Sequence, residues 1–303
     1  MPGLHPIQTP VPAGLGTLFL MAALTLRRLE ARDLDDALRL TQAERWSHRL
    51  EDWQFHYRLG RGWVACDDDG KVLGTASWWS YGEQFGTVGL VLVDQAHQGQ
   101  GIGRQLMNVV MSDAGPRVLQ LVATKAGLTL YQRCGFREHH GIRQHQGTAT
   151  QIPALESLRD SHLRAVSLAD LEAVCDLDAA AFGANRRHLV EAVFTAGGGV
   201  GVLAERNGRL AGFALVRQSG RGTTIGPVVA EDESLAIALI AHQLKTNGSF
   251  TRVDVPADAA RLAEWLETAG VICVDQVTTM VRGDIREERA EARVFGLVSQ
   301  ALG

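Results

Sequence analysis

Beyond residue 25 the chain alternates short apolar runs with stretches of helical periodicity, the pattern of a mixed α/β protein. Leu26-Arg27-Arg28-Leu29 reads as a first strand. Asp33 precedes Leu34, Ala37, Leu38 and Leu40 at helical spacing and supplies an acidic cap. Residues 42–59 read as a second helical stretch, with Trp46, Trp53, Phe55 and Tyr57 as core aromatics. Residues 62–66 form a strand, Asp67-Asp68-Asp69-Gly70 a solvated hairpin turn, and residues 71–79 the return strand. Residues 85–93 are the next strand. A helix over about 101–114 and a strand over 118–123 follow. Gly135 ends a further short helix as its C′ residue.

Between the strand ending at Val93 and the next helix lies Asp94-Gln95-Ala96-His97-Gln98-Gly99-Gln100-Gly101-Ile102-Gly103-Arg104. A glycine-rich strand-to-helix junction exposes backbone N–H groups at the positive end of a helix dipole, which suits a phosphate. Glycine permits close approach and dihedrals that a Cβ forbids. A dinucleotide fingerprint would need its third glycine at position 104, which is Arg104, and a P-loop would need a nearby Lys. A strand-to-helix turn without a ligand is the structural alternative.

The pattern that fits is Gln/Arg-x-x-Gly-x-Gly, here Gln98 to Gly103. In this it resembles the GNAT acetyltransferase superfamily, whose loop of this form holds the pyrophosphate of acetyl-CoA. Tyr131-Gln132-Arg133-Cys134-Gly135-Phe136 is similar to that superfamily's Tyr-x-x-x-Gly-Phe helix end. Many relatives carry Asn seven residues before the tyrosine, where this chain has Thr124.

The chain also repeats itself at a period of about 137 residues. Leu26-Arg27 and Asp33-Leu34 return as Leu163-Arg164 and Asp170-Leu171. Asp69-Gly70-Lys71-Val72-Leu73-Gly74 returns as Asn207-Gly208-Arg209-Leu210-Ala211-Gly212. The second copy lacks the chemistry. Ala230-Glu231-Asp232-Glu233 replaces the glycine loop, and Leu266 stands in the place of Tyr131. This resembles tandem acetyltransferases with a degenerate C-terminal half.

The fold class implied is α/β (α+β), two tandem domains, each a mixed twisted sheet flanked by helices. The expected organisation is a flexible arm (1–22), a catalytic domain (23–150), a linker (151–160), a degenerate domain (161–284) and a helical tail (285–303).

The resemblance implies an acetyl-CoA-dependent N-acetyltransferase acting on a primary amine by direct transfer in a ternary complex. It places Val91, Leu92 and Val93 along the pantetheine, and Gln98, Gly99, Gln100, Gly101, Ile102, Gly103 and Arg104 around the pyrophosphate, with Thr124 beside the cofactor arm. Tyr131 is the candidate general acid toward the leaving thiolate. Glu83 is the best-placed carboxylate for a general base; Asp94, His97 and a water chain stay open. A non-catalytic acyl-CoA sensor and a protein N-acetyltransferase are the alternative readings. A protein acceptor implies an open groove, whereas a small molecule implies a closed pocket between the halves.

Composition narrows the partners. The net charge of -4 carries no footprint for nucleic acid and mildly favours cationic substrates. Four dispersed cysteines argue against a zinc site or disulfide framework and for a reducing, cytoplasmic setting. His139, His140 and His145 lack metal spacing and read as exposed strand residues, so no metal is expected. The apolar run 15–26 is too short to span a bilayer and has no basic segment before it, so neither a membrane anchor nor a signal peptide is expected.

Overall fold

The computed structural model describes residues 24–156, 158, 161–285 and 290–303, so the arm at 1–22 and parts of the linker and tail lie outside the described residues. The first half runs β1 (Thr25–Arg28), α1 (Leu34–Ala43), α2 (Leu50–Leu59), β2 (Arg61–Cys66), β3 (Val72–Tyr81), β4 (Phe85–Val93), α3 (Ile102–Ala114), β5 (Val118–Ala123), α4 (Leu128–Arg133) and β6 (Arg137–Gly147). The second half follows the same order: β7 (Ser161–Ala165), α5 (Leu171–Phe182), α6 (Arg187–Ala196), β8 (Gly201–Arg206), β9 (Arg209–Ser219), β10 (Gly222–Ala230), α7 (Glu233–Asn247), β11 (Thr251–Pro256), α8 (Ala260–Ala269) and β12 (Ile272–Arg282). A last strand, β13 (Arg293–Gly296), has no counterpart among the described residues of the first half.

The repeated residues do the same work twice. Arg27 grips Asp33 at 2.6 and 2.7 Å, and Arg164 grips Asp170 at 2.9 and 2.8 Å. Each carboxylate also accepts a backbone N–H at 2.8 Å, from Glu30 and Ser167, so the pair ties the first strand to the turn that starts the first helix. Asp33 therefore caps that turn; its side chain does not cap α1.

Among the described residues the strands form a 13-stranded sheet in the order β1-β2-β3-β4-β5-β12-β6-β11-β10-β9-β8-β7, with β13 beside β10. The halves exchange their last strands. β12 of the second half pairs with β5 through Thr278↔Ala123, β6 of the first half pairs with β11 through Thr251↔Gly147, and β6 and β12 pair antiparallel in the middle. The expected twisted mixed sheets flanked by helices are present, merged into one.

Within the first half, β4 and β5 pair in parallel from Phe85↔Val118 to Val88↔Leu121 and then part. The parting follows a bulge: β3 pairs Ser77 with Gly89 and Thr75 with Leu92, so Leu90 and Val91 together face Ala76. Leu90 takes a φ of 52°, and its carbonyl accepts the Thr75 hydroxyl at 2.7 Å. In the second half β10 bulges between Ile225 and Val228 and pairs with β11 only at Thr223 and Thr224. There the gap is filled by the chain itself. β13 pairs with β10 through Val228↔Gly296 and Val229↔Val294, and Leu297 N–H bonds the Asp254 carbonyl of β11 at 3.0 Å. Gly226 admits this approach, since a Cβ there would lie 1.9 Å from the Leu297 oxygen.

Three expectations need correction. Among its described residues the tail is not helical: Arg293–Gly296 is a strand, because the open edge of β10 offers backbone partners that a helix would leave unmet. The helical stretch 42–59 breaks between Ala43 and Leu50, with Arg45 at a φ of 60° and Asp52 accepting the Arg49 N–H at 2.9 Å to start α2. His145 is buried, since β6 lies inside the merged sheet, and its Nδ1–H donates to the Val271 carbonyl at 3.1 Å.

Between α5 and α6, Arg186 and Asp178 form a fully buried bidentate pair at 2.7 and 2.9 Å. Replacing Asp178 with Ala leaves an uncompensated buried guanidinium. Urea unfolding is expected to show a loss of about 3–5 kcal/mol; a loss below about 1 kcal/mol would contradict this account.

Candidate active site

The glycine loop stands open where β4 hands over to α3. Gly99 and Gly101 have φ of 78° and 81°, and a Cβ at either would meet nothing within 4 Å. The first bond of the α3 ladder runs from Gln105 N–H to Gly101 O at 3.1 Å. The N–H groups of Ile102, Gly103 and Arg104 precede it and face outward at the helix N-terminus. Gln98, Gly99, Gln100 and Arg104 are exposed, while Ile102 is buried and anchors the helix.

Asp94 holds this loop. It accepts Ala96 N–H at 3.1 Å and His97 Nδ1 at 3.2 Å, and pairs with Arg39 at 3.0 Å. Burial alone would raise its pKa, but the bonds from His97 and Arg39 hold it below the usual range. Asp94 is thus a fully engaged structural carboxylate. The corresponding junction of the second half is closed. Asp232 caps α7 by accepting Leu235 N–H at 2.8 Å, and Arg206 binds Glu231 at 2.9 Å and Asp232 at 3.0 Å.

A cavity of about 340 Å³ lies between the halves. Its floor includes Gly89 and Leu90 of the β4 bulge and Val122 and Thr124 at the end of β5, so it opens onto the parting of those strands. Its walls come from the 44–49 loop and α2, from the β9–β10 hairpin, and from residues 299–301. Cross-half contacts fix the walls. Asp52 accepts Gly220 N–H at 2.9 Å, Gln300 donates to Gln144 at 3.0 Å, and the Tyr81 hydroxyl donates to the Leu302 carbonyl at 2.7 Å.

Two histidines face this space. His56 Nδ1–H donates to the Asp52 carbonyl at 2.6 Å, so its lone pair is on Nε2, which is buried without a partner. His48 Nδ1 is likewise buried and unpartnered, and the two rings lie 6.0 Å apart. Burial, reinforced by Arg217 and by each other's proximity, pushes His56 down to about 3. Burial also pushes His48 down to about 4, against the pull of Asp52.

The residues singled out from sequence do not all meet here. Thr124 lines the cavity, and Val91, Leu92 and Val93 follow the bulge along the parted strand. Tyr131, on α4, does not line the cavity; it is 8% exposed, its ring edge-on to Phe136 at 6.3 Å. Burial raises the pKa of Tyr131, so its hydroxyl keeps its proton. Glu83 is exposed in the β3–β4 turn at the other end of β4 and does not line the cavity. His48, Asp52, His56 and Arg217 were missed. The signal was Asp52 three residues after Arg49, a helix start hidden inside an apparently continuous helix.

Comparison with known proteins decides the family. Two family models, each described as an acetyltransferase (GNAT) domain, match residues 58–138 and residues 174–296. The chain is a tandem GNAT N-acetyltransferase. It is similar to the uncharacterized N-acetyltransferase YitH of Bacillus subtilis, 24% identical over 92% of this chain and 98% of that one. It is also similar to the uncharacterized N-acetyltransferase YhbS of Escherichia coli, 34% identical over 28% of this chain and 55% of the relative. The GNAT fold is shared with an acetyltransferase candidate from Pyrococcus horikoshii at TM-score 0.73, 21% identity and 99% coverage of both chains. A tandem GNAT protein from the clavulanic acid biosynthesis pathway matches at TM-score 0.63 and 17% identity, over 87% of this chain and 100% of that one. Among the described residues no helix is long and apolar enough to cross a membrane.

The histidines make the acid side of stability testable. Unfolded, each binds a proton below about pH 6.5; folded, each stays neutral until about pH 4 or 3. Protons therefore favour the unfolded chain, and stability is expected to fall as pH drops from about 6.5 to about 4. Replacing both with Gln should flatten that fall in pH-dependent thermal melts. An unchanged slope would mean that the imidazoles are not held neutral.

Proposed function

We propose that the chain transfers an acetyl group from acetyl-CoA to a primary amine of a small-molecule acceptor, in a ternary complex held by the first half. The observation that carries this reading is the meeting of two features. The parted strands β4 and β5 lead from the open glycine loop, and the inter-half cavity opens onto that parting. A cavity walled by residues of both halves suits a small acceptor better than a flat surface would.

The residues fit the cofactor. Loop N–H groups and Arg104 at the α3 N-terminus suit a pyrophosphate. The equivalent gap of the second half accommodates an extended backbone, β13, which is how pantetheine would lie along Val91, Leu92 and Val93. When bound, the thioester supplies the activated acyl carbon. In this reading backbone N–H groups at the Leu90–Val91 bulge stabilise negative charge on its oxygen.

As the C–N bond forms and the C–S bond breaks, the amine must lose a proton and the thiolate must gain one. The amine becomes more acidic as its lone pair is committed, so a weakly basic neutral imidazole suffices to accept its proton. In this reading His48 or His56 takes that part, and Glu83 is too far along β4 to do so. Tyr131 donates to the sulfur: its hydroxyl is protonated and has no hydrogen-bond partner among the described residues.

Tyr131→Phe is expected to keep acetyl-CoA affinity while lowering kcat at least about tenfold; unchanged turnover would remove Tyr131 from the mechanism. Calorimetry with acetyl-CoA is expected to give one site per chain, since Asp232 and β13 fill the second half's counterpart. Gly101→Val, at a φ of 81°, should abolish that site without lowering the melting temperature of the apo protein by more than a few degrees. Two sites per chain would overturn the assignment to the first half. Binding with no turnover on any amine would favour an acyl-CoA sensor.

A further inference from the structure

The cavity's own charge is opposite to that of the chain. Four guanidinium groups line it, those of Arg45, Arg217, Arg221 and Arg252, against the carboxylates of Asp52 and Asp275. Their pairing shows which charges are available. Arg252 is taken by Asp254 of its own strand at 2.7 Å. Asp52 is taken by the Arg49 and Gly220 N–H groups at 2.9 Å each and by the Arg49 side chain at 3.2 Å.

Arg217 is the telling residue. It is 4% exposed, stacks 4.7 Å over the Phe55 ring, and approaches Asp52 only to 3.5 Å. Its Nε is buried with no hydrogen-bond partner. The buried Arg186 also leaves one nitrogen, Nη1, without a partner, but its charge is met by two bonds of 2.7 and 2.9 Å to one carboxylate. Arg217 has no such arrangement. Arg45 and Arg221 are exposed at the same cavity and have no ion-pair partner among the described residues. An arginine always carries its charge, and a buried N–H without an acceptor is costly. A ligand oxyanion is the group that would complete it.

We propose that the acceptor is a small amine that also bears an anionic group, a carboxylate or a phosphate, received by Arg217 with Arg45 and Arg221 around it. This rests on the transferase reading of the cavity and narrows its substrate class. The amine then points away from the guanidinium, toward Leu90 and Thr124 where the strands part. The chain's net charge of -4 favours cationic ligands, but the cavity's arginines, close to the ligand and partly desolvated, outweigh distant screened charges.

The test compares matched amines with acetyl-CoA: amino acids against their amides, and amino sugars against their 6-phosphates. The anion-bearing member is expected to be favoured in kcat/KM by about 10- to 100-fold. Preference for carboxylate or for phosphate identifies the source of the oxyanion. Arg217→Gln should reduce the ratio to below about threefold, mainly through KM, and Arg217→Lys should retain part of it. Equal use of both members, or a ratio unchanged in Arg217→Gln, overturns the proposal.

A second arm needs no turnover. Calorimetric titration with acetate and with inorganic phosphate should reveal a site in the wild-type chain that is missing in Arg217→Gln and weakened in the exposed variant Arg221→Gln. If anion binding is the same in all three chains, the subsite is absent. If the anion site is present but no amine is acetylated, the transferase reading fails while the oxyanion site stands.

Discussion

The exchange of β6 and β12 is the constraint on which the other features depend. Each half completes its sheet with the other's last strand, so separating the halves would bare backbone groups on four strands at once. Pairing fixes register, and register fixes where everything beyond the sheet can sit. The 44–49 loop, the β9–β10 hairpin and the last residues meet over the parted strands because the two halves cannot slide past one another. A cavity between two separately folded domains would have walls free to move; this one is held by a continuous ladder. The same continuity buries His145 in the middle of a strand that would otherwise be an edge.

On that frame the halves have diverged by what they place at one junction. Both bulge the strand after the hairpin, and both part it from its parallel neighbour. Among the described residues the first half has no further strand in its parting, and it follows the parting with glycines, Gly99 and Gly101, at which a Cβ would meet nothing within 4 Å. The second closes the helix N-terminus with its own carboxylate and the parting with its own strand. α7, buried on nearly every side, has become a core helix where α3 keeps a solvated face. The second half thereby contributes walls and charge to a cavity that opens onto the parted strands of the first.

Much of this could be read from the residues because it is local. Gly99 and Gly101 take left-handed dihedrals that only their neighbourhood demands, and the repeated Leu-Arg and Asp-Leu pairs tie a strand to its next turn within seven residues. The repeat likewise announced two copies of one element order. It could not say which copy each final strand would join, since the backbone groups of a strand pair equally well with either edge. The break at residues 44–49 was hidden for a related reason. Nothing from Gln42 to Leu59 forbids a helix, and it is Gly220 of the other half, packed against Ser47, that goes with the open loop. Glu83 was favoured by nearness along the chain to β4, yet a strand extends, and its turn end lies far from its bulge. Arg217 gave no signal, because an arginine's lack of partners exists only in three dimensions.

β13 can be regarded as a ligand that the protein never releases. It takes the place of a strand-like guest in the second half, but its arrival is intramolecular, governed by an effective concentration and not by the supply of a metabolite. One half of the molecule thus behaves as permanently saturated. Saturation by tether also carries the chain onward from Gly296 to Ala301, whose methyl group packs on Gly89 beside the open parting. The second half in this way delivers a side chain to the rim of the first half's parting.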